Sequence, residues 1–457
     1  MREDIAILTD DNFAVIRHTT RELELYAHDR SSYTNIGMIA DKASDLHVYN
    51  IWIAPYTDIS GMFVKLFVTS GLVEYRLKAS IPDLDKSVDD TYMTYLKVYK
   101  LQGKDITFTI PEFNYLWKLD AYDDISPIDI AHMLATLRDA LPVHIVNSPT
   151  YIGIKLLEQL ADNQEKSWFR AMDSDLPDDL PLATNLVWKI LGAITKKKYI
   201  HVVDKNGAYL SSYQSTLVGT GNVTHYDIRD FDRKKVGIWH VTLSSNTSLY
   251  NGIDLPLPYN SYANNWLWTP EIDIAVKLGY QVNVQECWLW SEAHYVFRKW
   301  SKFIWNTRTE VKELADTKKK QGYYMAYDMI KHIYTETSGR LAHTGNDYDR
   351  KDVYSRIDWF SMIVADTRLK VLVMVHKLLA LGYYPVMVST DALYYLSDEK
   401  DIRLAIPGIL DRDTSLGGYK HKYSTEFSNV EELFDNGASA NQISERLNQL
   451  HKELRTW

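Results

Sequence analysis

The stretch Tyr199-Ile200-His201-Val202-Val203-Asp204-Lys205-Asn206-Gly207-Ala208-Tyr209-Leu210-Ser211-Ser212-Tyr213 decides the reading of this chain. Tyr199 to Val203 is rich in β-branched and aromatic residues, which predicts a short buried strand that ends at Asp204. Lys205-Asn206-Gly207 carries turn chemistry, and Ala208 to Ser212 then opens a helix. A carboxylate delivered to a strand end, beside free backbone carbonyls, suits a hard cation such as Mg2+, which takes oxygen ligands. By itself Asp204 reads equally well as a turn or cap residue. A second Asp in a strand context, Asp391 in PVMVSTDALYYL, changes the balance. Two carboxylates from separate strands converging on a metal pair are the minimal equipment for in-line phosphoryl or nucleotidyl transfer.

Three segments resemble motifs of family B DNA polymerases. DKNGAYLSS is similar to the first palm motif, D-x-x-S-L-Y-P-S, with Asp204 at the metal-binding Asp and Tyr209 at the Tyr. VSTDALYY resembles Y-x-D-T-D-S, with Asp391 at the second Asp and Ser389 replacing the first. KHIYTETSGRL resembles the fingers motif K-x-x-x-N-S-x-Y-G, with Lys331 at the Lys and Gly339 at the Gly, but Thr335 for Asn and Ser338 for Tyr. Their order agrees, with 127 residues from Asp204 to Lys331 and 60 more to Asp391, which is close to the compact, protein-primed phage and plasmid branch. LWTPEIDIAVKLGYQVNV is similar to W-x-x-x-E-L-x-x-A-x-x-x-G-Y-x-V, and LGGYKHKYS to L-G-x-W-x-x-E, with Lys422 standing where Glu would be.

The resemblance implies an α/β (α+β) right-hand polymerase. The palm would occupy residues 191–290 and 341–423, and helical fingers 291–340. Only 34 residues follow Tyr423, so 424–457 is expected to be a helical tail or reduced thumb. Residues 1–190 would form a separate N-terminal α/β domain, either exonuclease-like without catalytic acids or unrelated. No D-x-E stands on a strand there, so proofreading is not expected. The implied activity is template-directed nucleotidyl transfer, as a DNA polymerase or primase-polymerase, with two Mg2+ or Mn2+ ions and deoxynucleoside triphosphates. Asp204 and Asp391 would be catalytic, with Lys205 beside them at the metal site. Tyr209, Lys331, Lys320 and Arg308 would bind nucleotide, Tyr209 as a steric gate against the ribose 2′-hydroxyl. Thr335, Gly339, Arg340, Lys420 and Lys422 would contact DNA. Expected partners are a primer–template and a terminal or priming protein. The competing reading is a polymerase-derived nucleic-acid-binding protein of replication or end maintenance, with little catalysis.

Composition sets bounds around this. A chain of 457 residues exceeds the limit of about 250–300 for one core, so two or more domains are expected. The net charge of −9 is opposite to the basic footprint of most nucleic-acid binders. DNA contact would therefore fall to local clusters: Lys196-Lys197-Lys198, Arg233-Lys234-Lys235, Lys318-Lys319-Lys320 and Lys420-His421-Lys422. The single cysteine, Cys287, excludes an internal disulfide and a cysteine-based zinc cluster. MREDIAILTDDNF lacks the apolar core of a signal peptide, and no uncharged apolar run reaches about 18 residues, so a soluble, cytoplasmic protein is expected. His343 and His376 have no partners at ligand spacing and read as structural.

Elsewhere, HVYNIWIA, MFVKLFVT and ITFTIPEFNYLW read as strands. SPIDIAHMLATLRDAL reads as a helix capped by Ser126 with Pro127 in its first turn, and TYIGIKLLEQLADN and ATNLVWKILGAI as further helices. DSDLPDDLPL reads as a connector and VGIWHVTLSS as a second palm strand. A helix from Thr269-Pro270 stops at Gly279, with Glu271 and Asp273 as first-turn acids, and a strand follows from Tyr280 to Trp288. Ala326, Ile330 and Ile333 form one helical stripe, while Lys320, Tyr324, Tyr327, Lys331 and Thr335 form another. IDWFSMIVADTRLKVLVMVHKLLAL predicts a long helix ended by Gly382. A hairpin follows, with Ser389-Thr390-Asp391 at its tip, and the tail reads as a terminal helix pair.

Overall fold

A run as continuously apolar as Ile200 to Val203, broken only by His201, belongs in a strand covered on both faces. The computed structural model describes residues 125–145, 149–161, 187–189, 197–227, 229–244, 266–342, 356–406 and 414–455, short segments between 5 and 109, and positions 122, 168 and 408. The chain divides into two compact units, Met1–Gln159 with Asn306–Thr337, and Leu160–Trp305 with Ser338–Trp457.

The first unit holds a seven-stranded sheet of β1 (Ile5–Leu8), β2 (Asn12–Thr19), β3 (Glu22–Asp29), β4 (Asn50–Ile53), β5 (Arg76–Ala79), β6 (Tyr95–Tyr99) and β7 (Ile106–Thr109), in the order β3-β2-β1-β4-β7-β6-β5. The centre, β1-β4-β7, is parallel and the flanks antiparallel. Helix α1 (Ile36–Asp45) joins β3 to β4. Helix α2 (Pro127–Ala140) starts with the expected cap: Ser126 accepts from the amide of Asp129, and Asp129 accepts from that of Ser126. α3 (Pro149–Leu160) follows. HVYNIWIA supplies β4 and ITFT supplies β7, while MFVKLFVT and DSDLPDDLPL lie outside the described residues.

The second unit begins with β8 (Val187–Lys189), β9 (Tyr199–Lys205) and α4 (Ala208–Ser215). β10 (Val218–Tyr226), β11 (Gly237–Ser244), β12 (Trp266–Trp268) and β13 (Gln281–His294) make a four-stranded antiparallel sheet in the order β10-β13-β11-β12, with α5 (Thr269–Lys277) between β12 and β13. The helical hairpin of α6 (Arg298–Lys318) and α7 (Gln321–Leu341), turned by Lys319 and Lys320 with Lys319 at φ +52°, falls mostly in the first unit. After α8 (Ile357–Ala380) come β14 (Tyr384–Ser389), β15 (Ala392–Ser397), the short α9 (Ile402–Ala405), β16 (Tyr419–Glu426), α10 (Glu431–Asp435) and α11 (Ala440–Arg455). Five of these strands form one antiparallel sheet, β16-β9-β15-β14-β8.

That sheet is packed on both faces. Val203, Val388, Leu393 and Tyr395 share a core with Leu369, Leu372 and Val375 of α8. Ile200, Val202, Ala392 and Tyr394 share another with Phe434, Ile443 and Leu447 of the C-terminal helices. Each such aliphatic side chain contributes roughly 1.5–3 kcal/mol of burial.

Two sequence readings are corrected. ATNLVWKILGAI is not a helix through Val187–Lys189, which pairs as β8 with Ser389–Met387 at the sheet edge. Local apolar spacing of three and four lost there to a long-range ladder. VGIWHVTLSS forms the expected strand, β11, which lies in the four-stranded sheet. The strand after Gly279 also runs on to His294, six residues past Trp288, because β10 and β11 both pair along it.

Candidate active site

Register brings the two acids together. Ala392 lies opposite Asp204 across β9 and β15, so Asp391, one residue earlier, stands at the hairpin tip next to the strand end that carries Asp204. Ser389 pairs with Ala392, which leaves Thr390 and Asp391 as a two-residue turn. Thr390 adopts φ +61°, a conformation that a β-branched residue holds only at a cost of about 1–3 kcal/mol and that clusters at functional sites. Asp204 shares its face of β9 with Ile200 and Val202 and is 16% exposed. Burial, and then the neighbouring charge of Asp204, push the Asp391 carboxyl up to about 6.

β16 runs along the other side of β9 and places Lys420 opposite Asp204. The Nζ atoms of Lys420 and Lys422 stand 3.4 and 3.7 Å from the Asp204 carboxylate oxygens, and both lysines are nearly half exposed. The Tyr419 hydroxyl is buried with no hydrogen-bond partner. Burial raises its pKa, and so do the charges of Asp391 and Asp204, so it stays a phenol beside the acids.

Lys205 was expected at the metal site. Its backbone follows Asp204, but its side chain goes to the opposite face, where it is 7% exposed with its Nζ 5.3 Å from the Tyr419 ring centroid. Burial, then Lys370, lowers its pKa to about 8, against the opposing pull of Asp366 and Asp391. On that side Lys370 bonds Asp366 at 2.7 Å, the Ser211 carbonyl at 3.0 Å and the Ser215 hydroxyl at 2.6 Å. This cation at the C-terminal end of α4 holds the helix on α8. Sequence reading missed it, although Asp366 and Lys370 carry the i, i+4 spacing of a helical ion pair.

The turn into α4 matches expectation. Gly207 caps the helix at φ +58°, and a Cβ there would fall 2.9 Å from Leu416 and 3.3 Å from Trp305. Asn206 exchanges backbone hydrogen bonds of 2.7 Å with Gly417 and Gly418, so the LGG segment is laced to the turn. Tyr209 stands half-buried on α4, one turn before the fully buried Tyr213.

The nucleotide candidates Lys331, Lys320 and Arg308 belong to the first unit. Ala326, Ile330 and Ile333 form the buried stripe of α7, and Lys331 and Thr335 are exposed on another face. The Arg308 guanidinium lies over the Tyr327 ring at 4.4 Å. Lys320 precedes α7 instead of lying on it. The Thr335 hydroxyl donates to the carbonyls of Lys331 and His332 in its own helix. Gly339 is exposed, with nothing within 4 Å of a Cβ placed on it, and Arg340 is half-buried. Glu271 and Asp273 prove structural. Glu271 accepts from the Trp268 amide and forms a buried ion pair with Arg368, while Asp273 pairs with Lys277 at 2.6 Å.

Among solved structures, the chain is similar to phi29 DNA polymerase complexed with primer-template DNA, with a TM-score of 0.50, 12% identity, and coverage of 93% of this chain and 84% of that one. It is similar also to the ternary complex of phi29 DNA polymerase with primer-template DNA and incoming nucleotide substrates, with a TM-score of 0.51, 10% identity, and coverage of 93% and 85%. The fold is that of a DNA polymerase. No family model and no curated protein matches the sequence. Among the described residues, no group of three His, Cys, Asp or Glu side chains is arranged to hold a metal ion, and no helix is long and apolar enough to cross a membrane.

Proposed function

We propose that this chain is a template-directed DNA polymerase of the family B type, with its chemistry at Asp204 and Asp391. The observation that carries this reading is the register that sets Asp391 at a two-residue hairpin tip beside the strand end of Asp204. The oxygen-only donor set, two carboxylates and the carbonyl at Lys205, fits Mg2+ or Mn2+ and not a soft metal. When bound, a divalent ion would neutralise charge that builds on the transferring phosphoryl group.

The chain's own residues do the rest. The two acids orient the reacting groups. Tyr209, held by the Gly207 turn and by Lys370 under α4, excludes a 2′-hydroxyl by volume. Lys331 supplies compact positive charge to the triphosphate, with Arg308 and Lys320 as further cations. Lys420, Lys422, Thr335, Gly339 and Arg340 serve the DNA. Deoxynucleoside triphosphates, a primer–template and a terminal or priming protein are the partners of this reading, and the host cytoplasm its setting.

Primer extension with Mg2+ or Mn2+ tests it. Asp204→Asn and Asp391→Asn should each lose nearly all incorporation, by about a thousandfold or more, while DNA binding persists. Extension retained in Asp391→Asn sinks the assignment. A second reading, a nucleic-acid-binding replication protein with little catalysis, draws on the single acid of the hairpin tip and the lysines against Asp204. It predicts tight DNA binding and no extension by the wild type.

A further inference from the structure

Two of the cations at this centre are supplied by the chain itself. Lys420 is the register partner of Asp204, with its Nζ 3.4 Å from Oδ2, and the Lys422 Nζ stands 3.7 Å from Oδ1. Each oxygen of the carboxylate therefore faces its own ammonium group. The placement of Lys422 depends on an irregular strand. His421 pairs with Val203 and Tyr423 with Val202, which leaves Lys422 without a ladder partner. A bulge of this kind bends the strand and re-aims a side chain, and here the extra residue leans back to Asp204.

The hairpin tip, meanwhile, offers one carboxylate, with Ser389 at the neighbouring acidic position of the resembled motif. Two carboxylates thus stand against two ammonium groups, and their formal charges already balance. A pair of divalent ions would bring four more positive charges onto carboxylates that the lysines already offset, and hard cations are held by charged oxygen ligands.

We propose that the Lys420 and Lys422 ammonium groups take one of the two cation positions of this centre, so that it binds a single divalent ion, on the Asp391 side. The proposal rests on the reading of Asp204 and Asp391 as a metal site and fixes its stoichiometry. The lysines are part of the chain and need no recruitment from solution to offset the Asp204 charge.

The test is titration of the full-length chain with Mn2+ alone, with free ion read by electron paramagnetic resonance. The wild type should bind one equivalent. Lys422→Glu and the double variant Lys420→Ala/Lys422→Ala should bind two, and both should melt like the wild type because the two side chains are nearly half exposed. Two equivalents in the wild type, or one in the double variant, overturns the proposal. So does a double variant whose only change is weaker DNA binding. Failure of the underlying metal-site reading looks different: Asp391→Asn then keeps the wild-type uptake. No uptake by any of these proteins overturns both.

Discussion

At the scale of single residues, Asp391 sets chemistry against stability. Its folded pKa is raised to about 6, first by burial and then by Asp204, so the folded state holds its proton more tightly than the unfolded chain does. The associated stability is fully present below the ordinary carboxylate range and is lost as pH rises through about 6. At pH 8 without metal, an ionised Asp391 therefore weakens the fold. Asp391→Asn should be more stable than the wild type by about 1–3 kcal/mol in thermal melts with chelator at pH 8, with the gap closing near pH 4. Equal melting at pH 8 would show that the carboxylate is not strained. Tyr209 poses the other residue-scale test. Tyr209→Ala or Tyr209→Val should raise ribonucleotide use relative to deoxyribonucleotide use on the order of tenfold or more, read as the ratio of kcat/KM values. A wild type that already prefers ribonucleotides ends the gate reading.

Between neighbouring elements, the legible parts of the sequence were those with local grammar. Asp204-Lys205-Asn206-Gly207 spelled a strand end, a turn and a helix start, and each is present. Ser126-Pro127, Gly279 and Gly382 marked helix ends for equally local reasons. What sequence missed depended on distant partners. Val187–Lys189 became a strand only because Val388 lies opposite Trp188. The side chains of Lys205, Asp366 and Lys370 gather only because β9 and α8 pack against each other. The bulge that re-aims Lys422 has no local signal in Lys420-His421-Lys422, whose alternation reads as a regular strand. Gly339 tests function against propensity at this scale. It sits exposed in α7 with open space around its absent side chain, so Gly339→Ala should stabilise the helix by up to about 1 kcal/mol. If the backbone there approaches DNA closely, the same variant should also weaken primer–template binding by gel shift. Unchanged binding would leave Gly339 as a plain surface glycine.

For the whole molecule, fold and catalytic inventory part company. The similarity to phi29 DNA polymerase covers 93% of this chain, so the N-terminal region takes part in it. Yet the sequence of residues 1–190 contains no D-x-E, and paired acids of that kind are what a metal-dependent exonuclease needs. The expected outcome is therefore no 3′–5′ shortening of an end-labelled primer with Mg2+ or Mn2+. Metal-dependent shortening that survives in Asp204→Asn would place a nuclease in this chain.

The position of β9 has a consequence in time as well as space. It lies between β16 and β15, so its backbone is bonded along both edges. Amides so placed exchange with solvent only when the sheet opens as a whole, whereas a two-residue turn opens by local fluctuation. Asp204, on the doubly bonded strand, is therefore expected to move only with the sheet, and Asp391 with the turn. One acid would then serve as the anchor and the other as the part that adjusts to whatever arrives.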